Sequence, residues 1–132
     1  MKKILILLII MFSFTSKISA NYSELAHEFQ FKGIDGESIE LNQYKNKVIV
    51  VVNVASRCGF TNQYNDLQQL WNNYKEKDLV VIGVPTNDFK QEPGSNNDIK
   101  NFCETNFNIS FPMTEKINVI GKNSHPFFKW AK

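Results

Sequence analysis

Two cysteines, Cys58 and Cys103, are the residues of this 132-residue chain best suited to covalent chemistry. Cys58 follows Val48-Ile49-Val50-Val51-Val52-Asn53-Val54, a β-branched apolar run that predicts a fully buried strand. Beyond it, Tyr64, Leu67, Leu70, Trp71 and Tyr74 recur at helical spacing and predict a helix over about Asn62 to Glu76. A thiol between a strand end and a helix start lies near unpaired backbone N–H groups and the positive end of a helix dipole. Both favour the thiolate, which is the reactive form. The position suits a redox nucleophile.

The pair of cysteines also admits a structural disulfide, the ordinary use of two cysteines in an exported protein. It would close a loop of roughly 45 residues and contribute ~4 kcal/mol in the chain-entropy model. Cys103 stands next to Phe102 in a second helical pattern, where a free cysteine is commonly a core residue. The residue three after Cys58 is Thr61, so the turn lacks the Cys-x-x-Cys pair of a dithiol centre. His27 and His125 are the only histidines, and neither stands at metal-ligand spacing. No Cys/His cluster, phosphate loop or serine-nucleophile motif is present, so no metal or prosthetic group is expected.

The elements that must hold Cys58 can be read along the chain. Glu28 to Leu41 alternates around Lys32-Gly33-Ile34-Asp35-Gly36-Glu37 and predicts a hairpin. The helix after Cys58 leads into a second apolar strand, Leu79 to Val84, which Pro85 ends. Strand, helix and strand make a βαβ unit with parallel strands and a right-handed crossover. Thr86 to Gly94 reads as a polar loop. Ser95 and Asp98 then have capping-box spacing at the head of a helix over about Asn96 to Thr105. Phe111-Pro112 marks an extended segment, and His125 to Lys132 begins another helix. The expectation is one α/β domain with a thioredoxin-like arrangement: a βαβ core and an N-terminal β-hairpin.

Bulk properties narrow the function classes. A hydrophobic fraction of 42%, with 11 Phe, is enough for a real core. Three of the 15 basic residues and none of the 13 acids lie in the first twenty, so the rest carries a net charge of −1. No basic stripe appears there, which argues against nucleic acid as a partner. Met1 to Ala20 reads as a secretory signal, with Lys2 and Lys3 before the apolar run Ile4 to Phe14 and Ile18-Ser19-Ala20 as cleavage site. An uncleaved membrane anchor competes, although the run is short of the ~20 residues a span needs. Export to a bacterial periplasm is the expectation. Membrane contact is then limited to the signal segment, and residues 21–132 act as a monomeric domain.

Three blocks in order carry a family resemblance. Asn53-Val54-Ala55-Ser56-Arg57-Cys58-Gly59 resembles the peroxidatic motif of the glutathione peroxidase family in its cysteine form. Leu79 to Gly94 resembles the family's second signature. Phe111-Pro112-Met113 through Gly121 resembles the segment that follows. The resemblance implies a thiol peroxidase that reduces hydrogen peroxide and organic hydroperoxides, with glutathione or a thioredoxin-like protein as reductant. It makes Cys58 the peroxidatic nucleophile, with Gly59 leaving room for peroxide and Arg57 a possible electrostatic support or a solvated cation. Gln91, before Glu92-Pro93-Gly94, matches the catalytic glutamine, a neutral donor able to stabilise developing charge. Cys103 lies within about a residue of the resolving cysteine of two-cysteine members.

The chain departs from the family pattern at Thr86, where cysteine is usual, and at Asp88, where glutamine is usual. Asp88 is expected to bring a charge near the site. The family's domain also continues past the position of Lys132, through two strands and a terminal helix that carry a Trp-Asn pair. The expectation is therefore a C-terminally truncated domain, in which Trp130 matches an earlier helix. A thiol–disulfide oxidoreductase and an inactive remnant of the same fold are the competing readings.

Overall fold

A computed structural model describes residues 24–132, so the expected signal segment Met1 to Ala20 lies outside the described residues. Strands β1 (Gln30–Lys32) and β2 (Ser38–Glu40) form the expected antiparallel hairpin, with Phe31 opposite Ile39. Its turn closes through Gly33 N–H on Glu37 O at 2.7 Å, and Gly36 supplies a φ of 94° that a side chain would resist.

Strand β3 (Val48–Val54) and strand β4 (Leu79–Pro85) are parallel and in register from Val48–Leu79 to Val54–Pro85. Helix α1 (Gln63–Tyr74) makes the crossover between them. Side chains alternate across the sheet. Val80, Ile82 and Val84 face one core with Phe29, Phe31, Ile39, Leu41, Val119 and Phe127. Val54 and Val81 face the other core with Tyr64, Ile99, Cys103, Ile109, Phe111 and Met113. β4 is buried along nearly its whole length, whereas β3, expected to be fully buried, is half-buried or exposed until Val54.

Residues 111–114, expected only as extended, run along the far edge of β4 and tie it to the hairpin. Gly83 N–H donates to Pro112 O, Thr114 N–H to Gly83 O and Ile34 N–H to Met113 O, each at 2.9 Å. A Cβ at Gly83 would collide with the Met113 sulfur, so this close approach requires glycine. Gln68 of α1 reaches the same segment: its amide accepts from Ser110 N and donates to Ser110 Oγ, both at 2.9 Å.

Helix α2 (Asn96–Phe107) starts at the predicted capping box, with Ser95 Oγ accepting from Asp98 N–H and Asp98 Oδ2 from Ser95 N–H. It runs two residues past the expected end, because Asn108 adopts the left-handed conformation (φ 51°) and donates to Cys103 O and Glu104 O. Helix α3 (Pro126–Trp130) follows His125, whose Nδ1 accepts from Phe127 N–H at 3.3 Å. No described helix is long and apolar enough to cross a membrane.

Candidate active site

The turn after β3 is built around Cys58. Thr61 stands where a dithiol motif would place its second cysteine, and it uses a hydroxyl instead. Thr61 Oγ1 accepts from Cys58 N–H at 3.1 Å and donates back to Cys58 O, while Thr61 N–H donates to the same carbonyl. This local clamp turns the chain so that Tyr64 N–H reaches Thr61 O and α1 begins at Gln63. Four residues therefore separate Cys58 from the helix. Phe60 N–H, in that intervening turn, points at Cys58 Sγ from 3.4 Å and is the donor that meets the sulfur.

Cys58 is half-buried and lines a recess of about 70 Å³ with Phe60, Gln63, Tyr64 and Leu67. Two expectations about its neighbours change. Gly59 is exposed, and a Cβ there would meet nothing within 4 Å, so no contact within the protein requires glycine at this position. Arg57 lines a different recess with Glu92, Asp98 and Phe102.

The backbone brings Gln91 to Cys58. Arg57 N–H donates to Gln91 O at 3.0 Å, which fixes the two loops side by side, one residue before Cys58 and at Gln91 itself. Gln91 is half-buried, and its amide carries no hydrogen bond to Cys58 Sγ among the described residues. Catalytic hydrogen bonds are often long or poorly aligned until substrate binds.

Glu92 is the site residue that reading the sequence missed. Its side chain is 0% exposed, and its two oxygens are both occupied by Ser56: Oε2 accepts the Ser56 N–H and Oε1 the Ser56 hydroxyl, each at 2.6 Å. Glu92 N–H in turn donates to Asn87 Oδ1 at 3.0 Å. Lys116 Nζ donates to the main-chain carbonyls of Glu92 and Gly94. Burying a carboxylate costs several kcal/mol unless short, charge-assisted bonds replace its water. The one sequence signal was an acid between Gln91 and Pro93-Gly94 in a loop otherwise read as solvated.

Asp88 does not aim its charge at Cys58. Its carboxylate accepts from Asn118 Nδ2 at 2.5 Å, Val119 N–H at 2.6 Å and Ile120 N–H at 3.0 Å, and so holds the 118–120 turn. Partial burial works to raise its pKa, but the Ile120, Val119 and Asn118 donors outweigh that and hold it below the ordinary value.

Cys103 lies on the inward face of α2, 1% exposed, and both cysteines are free thiols. The structural disulfide is not formed. Burial pushes the Cys103 thiol up to about 11, with the negative charges of Glu92 and Glu104 adding to the effect. Tyr64 packs between the two thiols' surroundings: its ring lines the Cys58 recess and shares the core cluster of Cys103. The Tyr64 hydroxyl is buried beside Cys103 without completing a hydrogen bond, and burial raises its own pKa. Of the three residues singled out from sequence, Cys58 and Gln91 lie on loops that one backbone hydrogen bond joins. Cys103 takes the core position that its helical neighbourhood allowed.

Known proteins agree with this architecture. The glutathione peroxidase family profile matches residues 26–132. The glutathione peroxidase homolog BsaA of Halalkalibacterium halodurans is 48% identical over 105 residues, 79% of this chain and 67% of that protein. The hydroperoxy fatty acid reductase gpx1 of Synechocystis is 42% identical over 114 residues, covering 86% and 68%. The crystal structure of Trgpx in apo form superposes with a TM-score of 0.64 at 35% identity, over 84% of this chain and 65% of that one. The chain spans about two thirds of the length of these relatives, and the arrangement they share with it is thioredoxin-like. The chain belongs to the glutathione peroxidase family.

Proposed function

We propose that the domain is a thiol peroxidase acting on hydrogen peroxide and organic hydroperoxides through Cys58. The observation that carries the reading is the position of Cys58: half-exposed at the strand-end turn, with an N–H on its sulfur and the Gln91 loop bonded alongside. The thiolate attacks one peroxide oxygen, the O–O bond breaks, and the other oxygen leaves as water or alcohol after taking a proton. Cys58 becomes a sulfenic acid. Gln91 donates its amide hydrogen to the oxygen that gains charge. A reductant thiol then attacks the sulfenic sulfur and releases water. A second thiol displaces the resulting mixed disulfide, returning Cys58 as thiol. No prosthetic group takes part, and the electrons come from glutathione or a thioredoxin-like protein.

An external thiol is the direct resolver, because Cys103 is buried and held protonated. Thr61 leaves the Cys58 turn without a partner thiol, which weighs against a dithiol oxidoreductase. With Met1 to Ala20 read as a leader, the site of action is outside the cytoplasm, the periplasm in a bacterium, and the domain works as a monomer. Hydroperoxide consumption with glutathione and with thioredoxin, measured for Cys58→Ser and Cys103→Ser, tests the mechanism. Cys58→Ser is expected to lose turnover completely, whereas Cys103→Ser keeps it. Turnover that survives Cys58→Ser sinks the proposal. A Cys103→Ser variant that loses only thioredoxin-driven cycling would show that α2 opens to deliver Cys103 as resolver.

A further inference from the structure

We infer that Glu92 is a positioning residue for peroxide reduction, acting through Ser56 to hold the Gln91 loop against the Cys58 turn so that the Gln91 amide meets the reacting oxygen when peroxide binds. The inference rests on the peroxidase reading above. Three hydrogen bonds join residues 56–57 to residues 91–92: Ser56 N–H and Ser56 hydroxyl on the Glu92 carboxylate, and Arg57 N–H on Gln91 O. The clasp links loops 36 residues apart in sequence. Cys58 directly follows one side of it, and Gln91 is itself part of the other.

The chemistry of the clasp is unusual for a merely structural contact. Among the described residues the Glu92 carboxylate has no Lys, Arg or His partner. A fully buried carboxylate is a poor source of net stability, since well-packed apolar groups often serve as well. What it supplies is geometry: two charge-assisted bonds from one residue fix both the direction and the rotation of the Ser56 peptide. Asn87 on the Glu92 N–H and Lys116 on the Glu92 carbonyl hold the main chain from which the carboxylate projects. Loss of alignment between a nucleophile and a donor by about 1 Å lowers rate by about 10²-fold.

The test separates alignment from folding. Cys58 is oxidised with hydrogen peroxide under single-turnover conditions and the sulfenic acid captured with dimedone. In parallel it is alkylated with iodoacetamide, which reads the sulfur's nucleophilicity and exposure without needing a donor on a departing oxygen. The readout is the ratio of the two rates. Glu92→Ala is expected to lower that ratio by about 10²-fold, and Ser56→Ala by about fivefold. Glu92→Gln keeps an oxygen for the Ser56 N–H and is expected to recover most of the loss. In a Gln91→Ala background, Glu92→Ala should lower the ratio no further, because both changes remove one alignment.

A ratio within about twofold of wild type in Glu92→Ala and Ser56→Ala, or losses that simply add to that of Gln91→Ala, overturns the inference. If Glu92→Ala does not fold, the Ser56→Ala ratio decides alone. Cys58→Ser is the control. Peroxide consumption that persists in it refutes the peroxidase reading itself, a different result from an unchanged ratio with Cys58 intact.

Discussion

Cys58 sits in an irregular turn, half-buried, with an N–H on its sulfur and two loops bonded around it. Cys103 sits in the third turn of a regular helix, 1% exposed, against Tyr64, Ile99 and Phe111. The two thiols share a small domain and a cluster edge at Tyr64, but the backbone around them has opposite work to do. Around Cys103 every main-chain group is consumed by the helix, so nothing is left to stabilise a thiolate, and burial holds the proton on. Around Cys58 the turn aims the Phe60 N–H at the sulfur, and Thr61 and Ser56 fix the loop by side-chain bonds. Reactivity here follows from irregular backbone held still by distant side chains.

The largest expected effect is a difference in alkylation. At pH 8 a thiol with a pKa of about 11 is only about one part in a thousand thiolate, and Cys103 is also shielded from solvent. Iodoacetamide in the native state is expected to modify Cys58 more than about 10²-fold faster than Cys103, with the two rates converging in denaturant. Peptide mapping over a time course measures both at once. Comparable native rates would break the contrast and show that α2 opens freely.

A smaller effect sharpens the same contrast. Ser95 caps α2 through its hydroxyl on Asp98 N–H, and losing a serine cap commonly weakens a helix by a factor of about five in its local equilibrium. Ser95→Ala is therefore expected to speed Cys103 alkylation by about fivefold and to leave Cys58 unchanged. If Cys103 instead becomes accessible through opening of the 109–113 segment, Ser95→Ala will not alter its rate.

What could be read from sequence divides along similar lines. The β3 strand, the turn with Cys58, the α1 stripe and the Ser95–Asp98 cap all depend on residues within a few positions of one another, and each was legible. Glu92 was not, because its meaning lies in Ser56, 36 residues earlier. The two ends of α2 make the same point: its start is written in a local box, while its end depends on Asn108 accepting a positive φ, a choice with no local necessity. Gly83 reads as an ordinary strand glycine until Met113 is seen to pack against it. Gln91 was singled out through the family resemblance, and the structure adds the backbone bond from Arg57 that joins its loop to the Cys58 turn.

Asp88 supplies the smallest effect and a check on how local the Cys58 environment is. Its carboxylate is spent on donors 30 to 32 residues away, at Asn118, Val119 and Ile120. Those bonds hold its folded pKa below the ordinary value of 3.8, so at neutral pH the ionised form stabilises the folded state. That contribution is fully present above the unfolded value and disappears as pH falls through the folded one. Water screens a carboxylate this close to the surface, so Asp88→Asn is expected to cost less than about 1 kcal/mol at pH 7. The deficit should shrink below pH ~4 and vanish at still lower pH. Paired denaturant melts of wild type and Asp88→Asn across pH 2 to 7 measure it, since the difference between them isolates this one group to first order. A deficit that is constant across that range would mean that the asparagine fails by shape and not by charge. The same variant bears on the thiols. With its charge directed at the 118–120 turn, its loss should leave the rate of Cys58 oxidation within about twofold of wild type. A larger change would mean that the field of Asp88 reaches Cys58, and that this departure from the family pattern tunes the nucleophile after all.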